Sequence, residues 1–222
     1  ISRETKRACT HTGDETLLDV DQDKFKPGFH EKKKLFTECF LVDDSGPKQR
    51  VLLGMKKRGF KAGRIFGFGG KVEKQDQSIH AAAARELEEE CGLSKDVVDM
   101  KKVGLVYVQF PDKNFEIHAY RGALREVRAS EDMADDTPQA IETEEMQPQW
   151  FDAEEVPWDK CIPDTKLWFP AAWRGQPFLA QFVLDEEDGV SWYKVEDVRA
   201  SDLERVDAHR ESQFGGDCNF LS

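Results

Sequence analysis

The stretch Ser78-Ile79-His80-Ala81-Ala82-Ala83-Ala84-Arg85-Glu86-Leu87-Glu88-Glu89-Glu90-Cys91-Gly92 decides how this chain is read. Alanine, leucine and glutamate favour helix. Ser78 stands where an N-cap belongs and Gly92 where a left-handed stop belongs, so the spacing predicts a helix over Ile79–Cys91. At about 100° per residue, Ile79, Ala82, Ala83, Glu86, Glu89 and Glu90 project into one sector, and an apolar stripe turns acidic halfway along. Like charges at these spacings repel, and carboxylates in the last turns oppose the helix dipole. A bound cation removes both penalties. Carboxylate oxygens converging from one face, with water completing the shell, suit Mg²⁺, with Mn²⁺ as a substitute. The alternative is a solvated run of glutamates. The neighbouring sequence decides between them.

Just upstream lies Gly63-Arg64-Ile65-Phe66-Gly67-Phe68-Gly69-Gly70-Lys71, where glycines let the backbone approach a ligand or ion closely. The segment from Gly54 to Lys71 carries Lys56, Lys57, Arg58, Lys61, Arg64 and Lys71 without one acidic residue. Such a reversal inside an acidic chain points to bound phosphate, the alternative being a solubilising loop.

The 222 residues carry a net charge of -12, which disfavours binding to a nucleic-acid polymer but leaves room for a small anionic ligand beside a local basic patch. Five scattered cysteines without paired spacing suggest neither zinc nor a disulfide framework, so a reducing, cytoplasmic setting is expected. Mitochondrial or nuclear placement stays open, because residue 1 is Ile and a removed targeting segment would leave no trace here. No apolar run is long enough to span a bilayer, so no membrane association is expected, and the chain is taken as a monomer.

Residues 1–33 are polar and are expected to form a flexible arm, with the folded domain over 34–198 and a polar tail over 199–222. Leu35–Val42 and Arg50–Met55 are apolar, β-prone runs around a turn-rich Asp43–Pro47, and are expected to pair. Val103–Phe110 and Phe115–Ala123 form a second candidate pair, with shorter strands at Gln149–Phe151 and Phe178–Val183. A second helix is expected over Asp164–Trp173. The acidic stretch Arg125–Gln147 and everything beyond Val198 are expected to add nothing to the core. The class is α/β (α+β) with a mixed central sheet.

Together Gly70 and Arg85-Glu86-Leu87-Glu88-Glu89-Glu90-Cys91-Gly92-Leu93 resemble the Nudix box. The second half of the box is complete. In the first half, six residues rather than five separate Gly70 from position 77, which holds Gln77 in place of Glu, with Asp76 beside it. Beyond the box, Val51–Phe60, Gly67–Val72, Lys102–Gly104, Glu145-Met146, Trp150-Phe151, Pro163-Asp164 and Trp168–Pro170 are similar to the eukaryotic MutT-like branch of that family, which acts on oxidised purine nucleoside triphosphates. The resemblance implies a Nudix α/β/α sandwich. It implies Mg²⁺ held by the Gly69 carbonyl and by Glu86, Glu89, Glu90 and Glu145. Arg85, four residues before Glu89, is expected to orient that carboxylate by a charged pair. The resemblance also implies substrate contacts from Thr37, Lys56, Phe60, Phe68, Gly70, Lys71, Phe110 and Trp168.

The base-reading positions depart from the family. Phe66 stands where the family has Asn, Ile162 where it has Trp, Val108 where it has Phe, and Thr165 where it has the second of two Asp residues, leaving Asp164. Losing one Asp of a pair is expected to redirect the choice of base. Two alternatives follow: a Nudix hydrolase of a dinucleoside polyphosphate or nucleotide sugar, and a non-catalytic nucleotide-sensing module. Without the family, Trp168 is an ordinary core aromatic and Asp164 a helix cap.

Overall fold

The computed structural model describes residues 33–125 and 138–212, so nearly all of the expected N-terminal arm lies outside the described residues. Strand β1 (Lys33–Asp43) pairs antiparallel with β2 (Arg50–Lys56) through Leu41↔Leu52 and Val42↔Val51. Asp43 starts the turn by accepting the Ser45 N–H at 2.9 Å. Strands β4 (Val98–Gln109) and β5 (Asn114–Leu124) form the second antiparallel pair. The short β3 (Ile65–Phe66) and β6 (Met146–Asp152) both pair with β2.

Two parallel pairings join these ribbons into one mixed sheet. β5 runs beside β1, and β4 beside β7 (Phe178–Leu184), with β8 (Val190–Asp197) closing the edge. The strand order is β3-β2-β1-β5-β4-β7-β8, with β6 on β2.

Helix α1 spans Ile79–Cys91, with Ser78 Oγ accepting the Ala81 N–H and Gly92 at a φ of 75°, as the spacing predicts. Helices α2 (Thr165–Arg174) and α3 (Ala200–Glu211) follow. Strand alternation sorts the helices to the two faces. On β4, Val106 and Val108 meet Trp168, Phe169 and Trp173 of α2. Leu105 and Tyr107 point the other way, to Leu203 and Val206 of α3. Ile79, Ala82, Ala83 and Leu87 of α1 pack on Leu35, Cys39, Leu41 and Tyr120. The Ile79 N–H donates to Glu211 at 3.1 Å, which ties α1 to α3 on their shared face. The result is an α/β/α sandwich. Each fully buried aromatic at its centre, such as Phe40 or Phe169, contributes about 1.5–3 kcal/mol.

Two sequence expectations are corrected. Of the segment beyond Val198, residues 213–222 lie outside the described residues, and 199–212 do add to the core, because Leu203 and Val206 are buried. Its docking is electrostatic as much as apolar. Fully buried Glu116 accepts from Lys33 at 2.8 Å and from Arg210 at 3.0 and 3.1 Å, while Asp207 meets Lys102 and lies 2.9 Å from His118. The stretch Arg125–Gln147 also reaches the core, since Met146 is buried beneath α1.

Candidate active site

The glycine loop lies along β1. Cys39 and Phe68 exchange backbone hydrogen bonds at 2.7 and 2.8 Å, and the Thr37 N–H donates to the Gly70 carbonyl at 2.9 Å. The fit is tight enough to exclude side chains: a Cβ on Gly69 would lie 2.0 Å from the Thr37 carbonyl, and one on Gly70 would lie 2.5 Å from Glu86 Oε2. Glycine is needed here for close approach.

The acids of α1 face this loop unequally. Glu90, 1% exposed, accepts the Gly69 N–H at 2.8 Å through Oε2 and lies 3.2 Å from Lys56 Nζ through Oε1. Glu86 is partly buried and takes a hydrogen bond from Arg85 Nη1 at 2.8 Å. Glu89, 58% exposed, stands at the solvent rim and accepts from the same Nη1 at 3.1 Å, so one Arg85 nitrogen contacts both glutamates. Burial pushes the Glu90 carboxyl up to about 7 against the pull of Lys56 and Gly69, and raises Glu86 against the pull of Arg85.

Glu145 is only partly brought in. Its segment reaches α1 through Thr143 Oγ1, which donates to the Glu90 carbonyl at 3.1 Å, but its own carboxylate pairs with Arg58. Among the described residues, no three acidic or imidazole or thiol groups stand close enough to clasp one ion as placed. The donors nevertheless fit a small hard cation: all are oxygens, two carboxylates are desolvated against their preference, and Gly70 leaves nothing larger than hydrogen beside Glu86.

The other edge of Arg85 grips Asp76, with Nε to Oδ1 at 2.9 Å and Nη2 to Oδ2 at 3.0 Å. Gln77 is exposed. The acid of the first half of the motif is therefore Asp76, which five residues separate from Gly70, and the extra residue falls between Asp76 and Arg85.

Beside the acids opens a cavity of about 130 Å³. Thr37, Lys56, Phe60, Phe66, Gly70, Phe110, Ile162, Asp164, Thr165 and Trp168 line it, together with Gly69 and Val108. Phe68 and Lys71 do not. Phe68 is fully buried in the core with Tyr120 and Met146 beneath α1, because the alternation that puts Gly67 and Gly69 on the cavity turns it away. Lys71 contributes its carbonyl, which accepts from Arg85 at 3.2 Å. The basic segment is less available to phosphate than its sequence suggests, since Lys57 pairs with Glu142, Arg58 with Glu144 and Glu145, and Lys61 with Asp188.

Asp164 stands at the N-cap position of α2, but its carboxylate does not cap the helix. Its side chain makes no capping bond; Oδ2 accepts from Trp168 Nε1 at 3.2 Å, and burial raises its carboxyl to about 6. Asp164 Oδ1 and Thr37 Oγ1 are both buried without a protein partner. An orphaned buried polar atom costs about 1–3 kcal/mol, so two in one cavity mark the seat of a polar ligand. Sequence reading missed Phe36, Glu38, Gly67, Phe115 and Ile117 in the lining. Glu38 left one signal: a charged residue in the middle of a buried strand.

The NUDIX domain family matches residues 37–169. The chain belongs to that family. This Nudix hydrolase is 40% identical over 152 residues to a mouse protein named oxidized purine nucleoside triphosphate hydrolase, covering 68% of this chain and 88% of that one. A zebrafish protein of the same name is 38% identical over 167 residues, covering 74% and 96%. The structure of a mutator MutT protein from Bacillus halodurans superposes with a TM-score of 0.56 at 19% identity, over 73% of this chain and 97% of that one, which shows the shared fold.

Proposed function

We propose that this Nudix hydrolase is a Mg²⁺-dependent pyrophosphohydrolase of purine nucleoside triphosphates, acting on oxidised forms such as 8-oxo-dGTP and 2-hydroxy-dATP and so cleansing the nucleotide pool. One observation carries the reading: the acidic face and the aromatic cavity are contiguous. Lys56, Gly69 and Gly70 line the cavity and also touch Glu90 or Glu86. A planar base among Phe60, Phe110 and Trp168 therefore leaves its phosphates at the carboxylates. The names of the mouse and zebrafish relatives support the substrate class.

A Mg²⁺ or Mn²⁺ ion held by Glu86, Glu89, Glu90 and the Gly69 carbonyl would neutralise phosphate charge and lower the pKa of a bound water. The chain's own residues do the rest. Lys56 lies between acids and cavity, placed to meet phosphate oxygen. Arg85 restrains Glu86 and Glu89, one of which accepts the proton of the attacking water. The aromatic walls exclude solvent, and Asp164 and Thr37 offer their unpaired oxygens to the base. Water and a nucleoside triphosphate give the monophosphate and pyrophosphate. The substrate is a small nucleotide, the enzyme acts as a monomer, and its setting is the cytoplasm.

The test is pyrophosphate release from 8-oxo-dGTP, 2-hydroxy-dATP and unmodified purine triphosphates, set against dinucleoside polyphosphates and nucleotide sugars. Preference for a purine triphosphate supports the reading. Preference for one of the other classes, or binding without turnover at any Mg²⁺ concentration, overturns it.

A further inference from the structure

Glu38 sits on β1 with its carboxyl in the cavity wall, and neither the metal chemistry nor any packing role explains it. Its neighbours on the strand, Cys39 and Phe40, are fully buried apolar groups. A carboxyl there is expensive, and an apolar side chain of similar size would remove that cost. Oε1 accepts the Gly67 N–H at 2.9 Å. Two more oxygens in the same cavity, Thr37 Oγ1 and Asp164 Oδ1, are orphaned. The Glu38 carboxyl and these two oxygens therefore face one slot, which Lys56 also lines and whose remaining walls are mostly aromatic, aliphatic or glycine.

We propose that Glu38 is a specificity-determining residue that, with Asp164, reads a purine edge carrying a ring N–H next to an exocyclic amino group, as guanine does. This rests on the nucleotide reading above. An acceptor-rich slot selects a donor-rich ligand, because a base lacking those donors leaves desolvated carboxyl oxygens unpaired. It also accounts for the altered pocket. Thr165 cannot supply a second carboxylate beside Asp164, and Glu38 brings one from the opposite side of the chain, on β1 rather than α2.

The test is a cycle between one side chain and one substrate group. Hydrolysis of dGTP is compared with that of dITP, which lacks only the 2-amino group, in wild type, Glu38→Gln and Glu38→Leu. Glutamine keeps an oxygen for the Gly67 N–H, so that variant folds even if leucine does not. Wild type should prefer dGTP by about tenfold or more in kcat/KM, which corresponds to about 1.4 kcal/mol. Both variants should bring that ratio to within about twofold, with the melting temperature of Glu38→Gln held or raised, the signature of a residue kept for function. Tryptophan fluorescence titration with dGMP and dIMP reads the same preference without turnover. An unchanged dGTP to dITP ratio and unchanged monophosphate preference in both variants overturns the role of Glu38. Absence of purine triphosphate hydrolysis in wild type, with dGMP still preferred over dIMP and that preference lost in Glu38→Gln, would instead sink the catalytic reading and keep this one.

Discussion

Arg85 joins the two halves of the Nudix motif through Asp76: its Nε and Nη2 hold the two carboxylate oxygens at 2.9 and 3.0 Å, while Nη1 reaches Glu86 and Glu89 on its own helix. One guanidinium thus fixes the loop and two acids of α1 together. Asp76→Asn should lower kcat by on the order of tenfold, the usual effect of losing a group that orients a ligating side chain, with KM little changed. Gln77→Glu should change neither constant, because Gln77 is exposed and the acid is already supplied. Steady-state kinetics decides. A gain of activity in Gln77→Glu would show that position 77 and not 76 carries the role.

Gly70 separates that loop from Glu86. An added methyl would stand 2.5 Å from Glu86 Oε2, so Gly70→Ala must push the carboxylate or the loop aside. Displacement of a catalytic group by about 1 Å costs on the order of a hundredfold, and kcat/KM should fall by that much. Differential scanning calorimetry should show a smaller effect on melting than for Gly69→Ala, whose methyl would meet rigid backbone at 2.0 Å.

The buried ion network under α3 sets the acid limit of stability. Lys33, His118 and Arg210 hold the Glu116 carboxyl well below its usual value of 4.5, despite its burial. Its folded-state pKa is lowered, so its contribution is complete above about pH 4.5 and is lost as the pH falls further. Arg210→Ala should destabilise the protein by about 2 kcal/mol at pH 7, by leaving a buried carboxylate short of donors. The loss should shrink in melts run below pH 4.5, where Glu116 takes up its proton in the unfolded chain. A deficit that does not change with pH would mean that Arg210 acts through packing alone.

Much of this architecture was legible in local pattern. The span of α1, its Ser78 and Gly92 ends, both antiparallel strand pairs and α2 follow from periodicity, caps and turn residues. What escaped depends on partners far away in sequence. Strand β8 alternates exposed and half-buried residues at a sheet edge, and α3 offers only Leu203 and Val206 to the core. Its real anchors, Glu116 and Lys102, lie about a hundred residues earlier. The site divides the same way. The helix glutamates, the glycines and most of the cavity lining were visible, whereas Glu38 took on meaning only when β1 was placed opposite Asp164. Phe68 was misplaced because a motif specifies residue types and not which face of the chain each one takes.

The acidic face of α1 is expected to work through a divalent cation. Pyrophosphate release from 8-oxo-dGTP, followed as Mg²⁺ is raised from zero, tests it in wild type and in Glu89→Gln, a change at an exposed position that leaves the fold intact. Wild-type turnover should appear only with the ion and then saturate, while Glu89→Gln should lose at least about a hundredfold in kcat with an unchanged melting temperature. Turnover without any divalent ion, or a near-normal rate in Glu89→Gln, would contradict the account.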